Sequence, residues 1–115
     1  MSVRRPRVIA AWILSFLLTF LFVFTGSGKV LGMEEMLKAF EHFGYPSWFR
    51  LFIGAAELAG AIGLLRLPLA QYAAAGLMII MAGAVWTHIG VGEPVAFPVV
   101  VLIALAGVIW LRRGE

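Results

Sequence analysis

Very few side chains in this sequence could do chemistry, and Glu57 is the first of them. It lies in the run 51–65, LFIGAAELAGAIGLL, where every other residue is apolar or small. At the centre of a bilayer a charge costs at least ~2.5 kcal/mol, so a carboxylate there is neutralised, paired or functional. Glu57 stands midway between Trp48 and Arg66, which on a helix puts it about 13 Å from either border. At that depth a preceding apolar segment offers Ser15 and Thr19 as hydrogen-bond partners. Two readings stay open: a carboxyl that ties helices together, or a proton-handling site.

His88 closes a later apolar segment, about 28 Å along a helix from its start at Leu69. That height separates it from Glu57 and makes water or Glu93 its expected partner. Histidine titrates near neutrality, so a proton relay is the sharper alternative. Lys29 follows Gly26-Ser27-Gly28, but the spacing of a phosphate loop and the strand before it are missing. Lys29 either snorkels to an interface or turns into the mouth of a helix bundle, and Arg50 poses the same choice.

Other chemistries are excluded by what the sequence lacks. There is no cysteine, hence no disulfide and no thiolate site, and no aspartate, hence no Ser-His-Asp set. Haem between helices needs facing axial ligands, whereas His42 and His88 both sit outside mid-span. No metal site and no resident cofactor is expected, with quinone the one candidate ligand. Catalytic residues are not identifiable.

The elements that position these residues are legible in composition. Of 115 residues 63% are hydrophobic and 13% charged, with a mean hydropathy of +1.01. Soluble domains are about 25% charged. The net charge of +3 is scattered at segment ends and does not suggest nucleic acid. One integral membrane domain over 1–115 is expected, with the lipid bilayer as its first partner and a membrane protein or a second copy as the next.

Four apolar segments, about 8–25, 48–65, 69–88 and 95–111, approach the lower limit for spanning about 30 Å of hydrocarbon. The segment after Thr25 lacks a small-x-small cleavage site, so the first segment reads as an uncleaved helix. Between the first two, Met33, Met36, Leu37, Phe40 and Phe43 recur at helical spacing, opposite Glu34, Glu35, Lys38, Glu41 and His42. This predicts an amphipathic helix over about 33–43, lying in the interface or packed as a cap over the bundle mouth, and ended by Gly44 and Pro46. The remaining links are short, so consecutive helices should be antiparallel. The expected fold is all-α: an integral membrane four-helix bundle, up-down-up-down. Small residues, Ala56, Ala59, Gly60 and Gly63 on the second span and Ala75, Gly76, Ala82 and Gly83 on the third, are expected at helix contacts. Arg4, Arg5, Arg7, Arg66, Arg112 and Arg113 fall on one side, against Lys29, Lys38 and Arg50 on the other, which places both termini in the cytoplasm.

Several strings, read in order, carry a resemblance. They are Gly26-Ser27-Gly28-Lys29, Phe40 with Gly44-Tyr45-Pro46-Ser47-Trp48, Gly54-Ala55-Ala56-Glu57-Leu58, and Gly76-Leu77, Met81, Ala84 and Thr87-His88. Over about residues 12–111 the chain is similar to the DoxX family, in its DoxX-like branch. The resemblance implies a small four-helix protein of the bacterial cytoplasmic (inner) membrane. It ties relatives to quinone-linked thiosulfate oxidation, to a membrane-associated oxidoreductase complex, to methylamine utilisation and, in animals, to the receptor-assembly chaperone NACHO. Glu57, Lys29 and His88 match family positions, and any thiol chemistry must belong to a partner. The functional expectation is a non-catalytic accessory or assembly subunit of a membrane complex, more an accessory protein than an enzyme. Its alternatives are a quinone- or lipid-binding redox subunit with Glu57 as proton acceptor, and a small proton-coupled transporter.

Overall fold

Long apolar segments joined by short links give an all-helical protein. A computed structural model describes residues 4–113, the side chains of Arg4 and Arg5 excepted. Five helices follow one another: α1 Arg4–Leu31, α2 Glu34–Phe43, α3 Ser47–Leu64, α4 Leu67–Gly90 and α5 Ala96–Arg112. No strand occurs among the described residues.

α1 continues well past Thr25, through Gly26-Ser27-Gly28-Lys29. By propensity alone that stretch should unravel, because glycine inside a helix costs about 0.5–1 kcal/mol relative to alanine. Close approach to α3 explains why it does not. A methyl group on Gly26 would lie 2.9 Å from the Gly54 carbonyl oxygen, and one on Gly54 would lie 2.8 Å from the Lys29 Cβ. The glycines serve helix contact; the turn comes at Gly32, whose φ is +72°. There the Met33 N–H reaches back to the Gly28 carbonyl at 3.0 Å. α2 ends in the same way: Gly44 has φ +83° and the Tyr45 N–H bonds the Phe40 carbonyl at 3.0 Å. Both are left-handed C-terminal caps that satisfy otherwise orphaned carbonyls.

The four longer helices close on one another. α1 lies against α3 and α5, and α4 lies against α3 and α5. Contacts run in opposite senses in the pairs they define. Thr25 meets Glu57 while Thr19 meets Ala61; Gly60 faces Leu77 while Gly63 faces Ala73. The enclosed core includes Leu18, Phe22, Leu64, Leu77, Leu105 and Val108. The outer surface is apolar as well: Phe20, Tyr72 and Trp86 are each more than three-quarters exposed, at 77%, 79% and 78%.

The expected four-span bundle is therefore met in a coarser form. There are five helices, and three of them, α1, α3 and α4, are long and apolar enough to cross a membrane. α5 is apolar but has only 17 residues, about 25 Å of helix against about 30 Å of hydrocarbon. The small residues also divide. Gly60 and Gly63 on α3 are close contacts, a methyl on either lying 2.7–2.8 Å from α4 atoms. Ala75, Gly76, Ala82 and Gly83 on α4 are exposed instead of packed between helices. On α2 only part of the apolar face docks: Phe40 is buried, Met36 and Phe43 are half-buried, and Met33 and Leu37 are exposed.

Candidate functional site

Lys29 and Thr25 stand one helical turn apart on α1, so both side chains project from the same face. α3 runs past that face in the opposite direction and brings Glu57 to them. The Glu57 Oε1 accepts from the Lys29 Nζ at 3.0 Å and from the Thr25 hydroxyl at 3.1 Å. Glu57 is 2% exposed and the Lys29 side chain 13%. Removing one member of such a pair leaves a buried, uncompensated charge. Two turns before Glu57 on α3, Arg50 is buried and its Nη1 donates to the Lys29 carbonyl. It is anchored inward and ties α3 to the end of α1.

Ser15 and Thr19 are not partners of Glu57. The Thr19 hydroxyl donates to the Ala61 carbonyl at 3.0 Å, and the Ser15 hydroxyl accepts from the Arg112 Nη2 at 3.2 Å. The reason is the length of α1. Placing Glu57 at the middle of an 8–25 segment assumes that the helix stops at Thr25; because it continues to Leu31, the partners move outward by a turn or more.

A cavity of about 430 Å³ opens beside the pair, between α2, α3 and α4. Glu57 and Lys29 contribute its polar wall, with Tyr45, Thr87 and His88 also lining it. The rest is apolar, with Phe40, Phe49 and Ile80 among the lining residues. The Tyr45 and Thr87 hydroxyls are 2.7 Å apart, joining the α2–α3 link to α4. The His88 Nδ1 lies 2.8 Å from the Glu93 Oε1, and the His42 Nε2 lies 3.5 Å from the Glu93 Oε2. Glu93 thus stands between a histidine of α2 and one of α4. The Phe43 ring packs edge-on against His88 at 5.5 Å, so α2 covers this end of the cavity.

Of the residues singled out from sequence, the structure brings Glu57, Lys29 and His88 to one cavity and leaves Ser15 and Thr19 outside it. Glu57 and His88 share no hydrogen bond. Thr25 was missed, although its i,i+4 spacing to Lys29 could have signalled it. Tyr45 and Thr87 were also missed, and no local pattern pairs them. Among the described residues, no group of three His, Cys, Asp or Glu side chains could hold a metal ion.

A family model described as the DoxX-like family matches residues 13–109. An uncharacterized protein of Bacillus subtilis (strain 168), YdgD, is 33% identical over 64 residues, which cover 52% of this chain and 56% of that protein. The chain thus aligns with little more than half the length of that relative. No solved structure is significantly similar.

Proposed function

The chain belongs to the DoxX-like family, and from that premise we propose that it is a multi-pass membrane protein that holds one largely apolar molecule as a non-catalytic accessory subunit of a membrane complex. The observation that carries this is the cavity: about 430 Å³, apolar over most of its wall, with one buried ion pair at its side. Ligand sites are commonly of about 300–1,000 Å³, apolar, with a few placed polar groups. An isoprenoid quinone or a membrane lipid has the matching chemistry. Lys29 and Thr25 both bond the Glu57 Oε1, which supports a binding role for this carboxylate over a role in carrying protons.

In this reading α5 is the fourth crossing, since 17 residues is the lower limit for a spanning helix. α2 lies at the outer interface, with exposed Met33 and Leu37 toward the headgroups. Both termini are cytoplasmic by the basic-residue split, in a bacterial inner membrane. The absence of native cysteine makes single-cysteine labelling clean: Glu41→Cys should react from outside intact cells, and Arg66→Cys only after permeabilisation.

Mass spectrometry of gently extracted protein tests the binding role. Native chain should retain an apolar small molecule. Gly83→Phe, which puts a ring into the cavity wall where a methyl would meet no atom within 4 Å, should lose it. Equal small-molecule content in both would defeat the reading, whereas a co-purifying protein with no ligand in either would leave the accessory role alone.

A further inference from the structure

The polar wall of the cavity is half used. Both hydrogen bonds to Glu57 fall on Oε1. Its Oε2 has no donor among the described residues, yet it is not fully occluded, and Glu57 lines the cavity. Lys29 also lines the cavity, and one Nζ–H is taken by Glu57. An ammonium carries three donors, so Lys29 has donors left over. A buried carboxylate with one oxygen unused and a half-buried lysine with donors to spare therefore line the same space, one needing a donor and the other an acceptor.

Charge narrows the choice. The two groups neutralise each other, so a bound anion would set a second negative charge beside Glu57, and a bound cation a second positive charge beside Lys29. Either would enter a site of low dielectric without its own counter-ion. A carbonyl or ether oxygen would satisfy Lys29 and leave Oε2 bare. A hydroxyl satisfies both, because it donates through its hydrogen and accepts through its oxygen.

We propose that the cavity selects a molecule with an uncharged hydroxyl head and an apolar body, the hydroxyl donating to the Glu57 Oε2 and accepting from the Lys29 Nζ. A hydroquinone ring and a glycerol monoester share this head chemistry. The proposal rests on the cavity being a ligand site and adds which head group it takes. Hydrogen bonds to charged groups contribute about 1.5–3 kcal/mol, so a ligand lacking the donor should bind about tenfold more weakly or worse.

The test is native mass spectrometry of the full chain in detergent, offered equimolar pairs that share a twelve-carbon chain. Dodecyl-hydroquinone should exceed its dimethyl ether in bound fraction by about tenfold or more. Monolauroyl-glycerol should exceed laurate, and a dodecyl phosphate should bind least. Direct competition of the diol with the glycerol ester identifies the source, and either winner supports the shared chemistry. In Lys29→Met/Glu57→Leu the tails should still bind and the preference should vanish. Equal occupancy by diol and ether, laurate or phosphate winning, or a preference that survives in the double variant would each overturn the proposal. The wild-type competition alone decides if the double variant does not fold. Loss of discrimination with tails still bound removes this inference only; failure of every tailed compound to bind removes the cavity's binding role with it.

Discussion

Two ends of this molecule bury a charge, and they do it differently. At the α2 end, Glu57 is held by Lys29 and Thr25 at the wall of a cavity. At the opposite end, Arg112 is 1% exposed, its guanidinium lies 4.5 Å over the Trp12 ring, and it bonds the Ser15 hydroxyl. Beside it Arg7 donates to the carbonyls of Trp110, Leu111 and Arg113 and so caps α5. Cations at a helix C-terminus are favourably placed, because the last carbonyls concentrate negative charge there. The Arg112 end uses its charges to close the α1–α5 seam. At the Glu57 end the paired side chains line a cavity instead. A buried charge signals a ligand when it borders a cavity, and a structural clamp when aromatic and backbone groups surround it.

The strongest way to break this contrast is to strand one charge. Lys29→Met leaves Glu57 buried without its cation and should cost about 3–5 kcal/mol. Lys29→Met/Glu57→Leu should recover most of that, since hydrocarbon is a tolerated replacement for a buried pair. Reversible denaturation in mixed micelles measures both, and a double variant no more stable than the single one would contradict the pairing. Arg112→Met should cost less, about 1–3 kcal/mol, from the lost ring stacking and the Ser15 bond. It should leave ligand retention unchanged, and parallel loss of ligand would erase the distinction between the two ends.

Close helix contact gives the next pair. Gly54→Ala forces a methyl to within 2.8 Å of the Lys29 Cβ and 3.0 Å of the Gly26 carbonyl oxygen, an overpacking cost of about 1–3 kcal/mol. Gly76→Ala meets no atom within 4 Å and should stabilise by about 0.5–1 kcal/mol through helix propensity. Thermal unfolding followed by circular dichroism should move in opposite directions for the two; movement in the same direction would show that α1–α3 contact is looser than described. Smallest of all is His42→Ala. Its 3.5 Å contact with Glu93 is largely exposed, so stability should change by no more than about 1 kcal/mol.

Helices were readable from sequence because apolar runs and left-handed glycine caps are local. Gly44 and Pro46 mark the end of α2, and Arg66-Leu67-Pro68 the α3–α4 turn. The extension of α1 through Gly26 and Gly28 was not readable, because glycine signals both a loop and a close helix contact, and only the position of Gly54 decides. The same ambiguity moved the partners of Glu57 from Ser15 and Thr19 to Thr25 and Lys29. Glu93 as a partner of His88 was legible at five residues' separation. The burial of Arg112 was not, since a terminal arginine reads as a topogenic charge and its ring partner Trp12 is distant in sequence. The charge split itself counts Arg4 and Arg5, whose side chains lie outside the described residues.

The most direct test of the contrast is photo-crosslinking with a hydroxyl-headed lipid that carries a diazirine in its tail. Mapped by peptide mass spectrometry, adducts should fall on the walls of the α2–α3–α4 cavity, at residues such as Phe49, Ile80 and Ala84, and should decline when excess unlabelled lipid is added. Competed adducts at Trp12 or Trp110, with none on the cavity walls, would place the binding site at the other end of the molecule and contradict the account.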